Sequence, residues 1–157
     1  MKEIIEDEVI CWITAGVISS IVKDVFGVIT LWSQMVTYHI FFIAADIFMN
    51  SPDIYSAKGC FLGLVVDLII GGFLGMVIGI FLKQTGYRFY LLKGLFLGLI
   101  VWLVFIGFIM HTLLAVFSTV LTQFNDLIQS VIAHMIFGML AAYLIILLSP
   151  KQREGER

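Results

Sequence analysis

Four ionisable side chains interrupt otherwise apolar stretches of this 157-residue chain: Lys23, Asp24, Asp67 and His134. An acid or base at the centre of a bilayer costs about 2.5–3.5 kcal/mol on insertion scales, so such groups pair with one another or line a polar pathway. Two carboxylates, one ammonium and one imidazole form a set that can bind a proton, a small cation or a polar lipid head group. The same set also serves as a static ion pair that pins helix register, in which losing one member strands the other.

Their shared depth makes these four a set. A bilayer core of ~30 Å takes about 20 mainly apolar residues as a helix. Three segments meet this plainly: Gly59 to Leu82, with Asp67 its only charge; Phe89 to Met110, with Lys93 near its start; and Leu127 to Leu148, with His134 its only ionisable residue. The first third admits two readings. In one, a long helix runs from Val9 to Trp32 with Lys23 and Asp24 inside the membrane, and residues 34–49 form an interfacial or re-entrant segment. In the other, Lys23-Asp24 is a turn between two spans, making five in all. Val9 to Val22 alone covers only about 21 Å, and no turn signal stands near position 23, so four spans are preferred. At ~1.5 Å per residue, Asp67, His134 and Lys23 then each lie ~10 Å from the outer boundary, with Asp24 beside them. Lys23 is expected to pair with Asp67 or Asp24, and His134 to donate to one of the carboxylates.

The composition supports this frame. Hydrophobic residues make up 61% of the chain and charged residues 13%, with a mean hydropathy of +1.09, against about 45–50% and about 25% in soluble domains. That excludes disorder, an ordinary soluble enzyme and a basic nucleic-acid binder, and predicts one all-α, polytopic helical membrane domain surrounded by lipid. The net charge of −2 suggests no polyanionic partner. The stretch Met1 to Glu8 holds four acids and one lysine, unlike a signal peptide's basic start, so the first apolar segment is expected to be retained.

Loop charge sets an orientation. Lys83, Arg88 and Lys93 lie between the second and third spans, and Lys151, Arg153 and Arg157 follow the last, whereas the other side carries only Lys58. Positive loops face the cytoplasm, which puts the tail 149–157 there, in a bacterial cytoplasmic membrane. With four spans the N-terminus is cytoplasmic too; with five it is outside. Ser51-Pro52-Asp53 reads as an N-cap and first turn leading into the second span, and Ser149-Pro150 as the end of the last. Trp12, Trp32, Tyr87, Phe89 and Tyr90 are expected at the interfaces.

The second span carries a stripe of small residues. Gly59, Gly63, Asp67, Gly71, Gly75 and Gly79 recur every four positions and share one helix face, which Gly72 widens. Small residues let helix backbones approach where lipid supplies no hydrophobic drive. The stripe therefore predicts a helix against it, from this chain or a second copy. Weaker versions are Gly94 and Gly98 in the third span, and Ala133, Gly138, Ala141 and Ala142 in the fourth.

Other chemistry finds little support. There is no GxSxG, P-loop or HExxH, so no enzyme activity and no cofactor is expected. Cys11 and Cys60 fit no disulfide or metal pattern. His111, His134, Asp67 and Asp126 can be assembled into a metal site only by taking ligands from scattered places, without HxxxH or CxxC spacing. His111 and Asp126 flank the outer loop, near water and needing no buried partner. His39 and Asp46 share a face of the segment before the second span.

Lys93-Gly94 with Gly98, Trp102 and Gly107, followed by the run Ala133-His134-Met135-Ile136-Phe137-Gly138-Met139-Leu140-Ala141, resembles the small bacterial inner-membrane proteins of the YqhR and YagU type. The lysine-bearing first segment, Ala15-Gly16-Val17 through Lys23, is similar as well. The proline and arginine that follow the first helix in the YagU type are missing here. The resemblance implies a fold and a location but no reaction. The leading expectation is a non-enzymatic structural or assembly component acting through glycine packing, as a homo-oligomer or beside another membrane protein. The alternative is a small transporter or channel-like protein using the Lys/Asp/His layer.

Overall fold

The computed structural model describes residues 7–37, 40–49, 53–110 and 123–149. Helix α1 spans Glu8–Trp32, short α2 Ile40–Asp46, α3 Ala57–Thr85, α4 Tyr90–Trp102 and α5 Phe124–Leu148. A 3₁₀ turn at Asp53–Tyr55 precedes α3, and α4 continues as a π-helix over Leu103–Met110. No strand occurs among the described residues. Four of these helices are long and apolar enough to cross a membrane, which makes the chain a multi-pass membrane protein.

Local chemistry sets the helix ends. Asp7 caps α1, its carboxylate accepting the Val9 amide at 2.8 Å. Lys23 and Asp24 do not break α1, which ends where Gln34 turns left-handed (φ 55°) and the Met35 amide donates back to the Thr30 carbonyl at 3.1 Å. Ser56 caps α3, its hydroxyl accepting the Gly59 amide at 3.2 Å. Ser51, Pro52, His39 and His111, the tail's Lys151, Arg153 and Arg157, and the residues before Asp7 lie outside the described residues.

The bundle inverts the soluble pattern. Large apolar side chains face outward, among them Phe61, Ile69, Phe73, Leu92, Phe96 and Phe108, as lipid contact requires. Small and polar residues turn inward, including Ala15, Gly16, Ser19, Ser20, Lys23, Gly71 and Ala141. Helix α1 packs against both α3 and α5, while α4 lies mainly on α5.

Two antiparallel pairs result. Along α1 and α3 the facing positions are Glu8 with Lys83, Trp12 with Gly79, Gly16 with Gly75, Ser20 with Gly71, and Lys23 with Asp67. A Cβ at Gly75 would lie 2.6 Å from the Gly16 Cα, so only glycine permits this approach. Along α4 and α5, Gly94 faces Gly138, Gly98 faces the His134 backbone, and Trp102 faces Ser130. Each pair steps by about one helical turn, four residues everywhere except Ser20 to Lys23, in opposite directions, the register of straight antiparallel helices in close contact.

At the Lys83 end, Trp12, Ala15, Ile78, Leu82, Phe137, Ala141 and Ile145 form an apolar cluster. Trp12 was expected at an interface, but it is buried with its ring against Gly79. Trp32 and Phe89 are exposed. At the opposite end α2 lies against α3, its Phe41 backbone on Gly63. The α2 segment connects two helix ends on the same side of the bundle.

Candidate functional site

Lys23 organises a buried ionic centre. Its Nζ donates to Asp24 Oδ1 at 2.7 Å and to both Asp67 oxygens at 3.0 Å. These three bonds use all three ammonium donors. Lys23 is 6% exposed, Asp24 5% and Asp67 8%, so water does little to screen the centre. Lys23 and Asp67 meet because α1 and α3 are antiparallel and glycine-packed just below them. Gly71 has no Cβ because Ser20 Oγ occupies that space.

Lys23, Asp67, His134 and Ser20 all line one cavity of about 40 Å³. Each helix contributes to its wall: Gly71 and Leu74 from α3, Val101 from α4, Phe105 and Ile106 from the π-helical turn, Phe137 from α5, and Ala44 from α2. Phe137 belongs also to the apolar cluster at the Lys83 end. A water needs about 10–15 Å³ of such volume and two to four polar partners. The cavity therefore has room for about three waters.

His134 departs from expectation. Its Nδ1 lies 2.8 Å from the Ser130 carbonyl, one turn back on its own helix, and it makes no hydrogen bond to Asp24 or Asp67. The carbonyl at i−4 is an acceptor already within reach of a ring on that helix face, whereas the carboxylates are held by Lys23. Asp24 does not line this cavity. It borders an apolar recess of about 370 Å³ with Ile21, Val25, Phe41 and Leu64. Lys23 thus links an acid on one side of α1 to the cavity on the other.

Asp126 is a second correction. Placed near water by its position in the sequence, it is 3% exposed, and its Oδ1 accepts the Thr37 amide at 2.8 Å. The segment after α1 folds over the first turn of α5, and a carboxylate there also meets the positive end of the helix. Asp46 ends α2, half-buried. Among the described residues no three His, Cys, Asp or Glu side chains gather closely enough to hold a metal ion.

Gly16, Ser20 and Trp12 were not picked out as packing residues from the sequence. Their signal was present: Glu8, Trp12, Gly16, Ser20 and Asp24 recur every four positions along α1. The types are mixed, so a search for glycines alone misses them. No family model, curated protein or solved structure matches the chain.

Proposed function

We propose that this protein is a small transporter or channel-like membrane protein whose working site is the cavity at Lys23, Asp67 and His134. One observation carries the reading: an ion pair and an imidazole border a space with room for water instead of being packed dry. Polar groups inside a membrane span serve pathways by default, and a purely structural ion pair gains nothing from a void beside it. The described glycines Gly16, Gly71, Gly75, Gly94, Gly98 and Gly138 make their close contacts within one chain. They therefore give no support to assembly with a second copy through that face. The orientation we favour places the Lys83 end and the C-terminus in the cytoplasm of a bacterial inner membrane, following the loop charges.

The test is flux of H⁺, Na⁺ or K⁺ into liposomes containing the purified full chain. The expected outcome is a flux above that of empty liposomes for at least one ion, reduced in Asp67→Asn. A wild-type protein that folds and moves none of them overturns the reading.

A structural role has its own support. All three Lys23 donors are satisfied, as in a permanent clamp between α1 and α3. In that case Asp67→Asn lowers the melting temperature in detergent and no ion crosses.

A further inference from the structure

We infer that the species handled in the cavity is the proton, and that His134 Nε2 is the group that takes it up. This inference rests on the transport reading and names its substrate.

The lining eliminates other ions by ligand count. Three of the four carboxylate oxygens in the centre, Asp24 Oδ1 and both of Asp67, are engaged by Lys23. The fourth belongs to Asp24, which faces away from the cavity. A hard cation asks for about six oxygen ligands, and a transition metal for three or four of the His, Cys or carboxylate type. Beyond the carboxylate Lys23 already holds, the described side chains that line the cavity offer Ser20 Oγ and one imidazole. An anion fares no better, because the ammonium that would attract it has spent its donors on carboxylates. A proton needs only one lone pair and a water to bring it.

The hydrogen bond of His134 identifies that lone pair. A backbone carbonyl only accepts, so the nitrogen beside the Ser130 carbonyl must carry the hydrogen: Nδ1–H donates at 2.8 Å. In the neutral ring Nε2 is then the acceptor. It lies on the ring edge away from the helix backbone, and the residue lines the cavity. Among the described residues, the charged groups that line the cavity with it are Lys23 from α1 and Asp67 from α3. Helices α2 and α4 contribute apolar lining only. A cavity water carrying an extra proton transfers it to Nε2, giving imidazolium and neutral water. The same nitrogen later returns that proton to another water. Nδ1–H stays on Ser130 throughout, and Lys23 remains a fixed counter-charge to Asp67.

The experiment compares proton entry, read with a trapped pH dye, against radiolabelled Na⁺ and Rb⁺ uptake in liposomes holding the full chain. The comparison variant is His134→Asn, which keeps a donor at the Nδ1 position for Ser130 and removes Nε2. Proton entry is expected in the wild type and at least about tenfold slower in the variant, with Na⁺ and Rb⁺ uptake no higher than in empty liposomes. Uptake of Na⁺ or Rb⁺ that His134→Asn leaves intact overturns the proton assignment while the transport reading survives. No flux of any ion overturns both. A second measurement holds even if the variant folds poorly. In ¹⁵N-histidine spectra of the wild type, the His134 signal is expected as the Nδ1–H tautomer when neutral, and an Nε2–H tautomer overturns the assignment.

Discussion

The α1–α3 pair and the α4–α5 pair are built on the same spacing and carry different polar groups. In both, antiparallel helices meet through glycines four residues apart, with Gly71 and Gly75 facing Gly16 in one and Gly94 and Gly98 facing Gly138 in the other. Moving along each pair away from the Lys83 end, the glycine contact gives way to a polar one. In α1–α3 it is the ion pair of Lys23 with Asp67. In α4–α5 it is neutral: Trp102 Nε1 donates to Ser130 Oγ at 2.8 Å, and His134 bonds the Ser130 carbonyl. The distance between helices is thus set by the same means twice, while only the α1–α3 polar contact next to the glycines is charged. The cavity lies where the two polar levels face each other, so its walls combine a fixed charge pair with an imidazole on a neutral scaffold.

The largest expected effect tests what the pairs share. Gly75→Leu places a side chain on the Gly16 backbone and Gly98→Leu places one on the His134 carbonyl. Overpacking in a tight core costs about 1–3 kcal/mol, and more where the obstacle is backbone. Both variants are expected to lose the monodisperse, protease-resistant species seen by gel filtration. If Gly98→Leu folds normally while Gly75→Leu does not, glycine contact is essential to one pair only and the likeness is superficial.

The next effect tests the difference. Lys23→Met leaves two buried carboxylates without their ammonium, and breaking a buried pair costs about 3–5 kcal/mol. Asp67→Asn is milder, because Lys23 keeps Asp24 at 2.7 Å. Thermal melts in detergent are expected to rank Lys23→Met below Asp67→Asn. The double variant should recover part of the Lys23→Met loss, since it removes one stranded carboxylate. Additive losses would mean that the short distances between Lys23 and Asp67 carry no coupling.

The two pairs were also unequally legible. Fixed helical rise predicts one level for Lys23, Asp24, Asp67 and His134 from chain counting alone, and in the fold Lys23 bonds both acids and shares a cavity with Asp67 and His134. The stripe on α3 is visible as a row of one residue type, whereas its partner face on α1 mixes Glu8, Trp12, Gly16 and Ser20 and shows no such row. His134 illustrates a limit of another kind. Its choice between a carboxylate and a carbonyl one turn away depends on which acceptors are already engaged, and that follows from how Lys23 points. The π-helical stretch Leu103–Met110 is apolar throughout, so no periodicity marks its change of winding, although Phe105 and Ile106 reach the cavity through it. The burial of Asp126 required knowing that Thr37 folds back over α5, a contact between residues 89 positions apart.

The smallest expected effect concerns the neutral polar level. Trp102→Phe keeps an aromatic ring at the α4–α5 contact and deletes one donor. Hydrogen bonds between membrane helices average about 0.6 kcal/mol, because an unfolded segment in lipid also finds partners. Ser130 Oγ still donates to the Leu127 carbonyl at 2.9 Å after the change, so no buried donor is stranded. Melting in detergent is therefore expected to shift by no more than a few degrees, far less than for Lys23→Met, with the His134–Ser130 carbonyl bond intact. Ser130→Ala makes the sharper comparison, since it leaves the Trp102 indole N–H without its acceptor and should cost more than Trp102→Phe. If either change destabilises the protein as much as Lys23→Met, the second pair is held by its polar contact as firmly as the first by its charges, and glycine spacing would no longer be what the two pairs have in common.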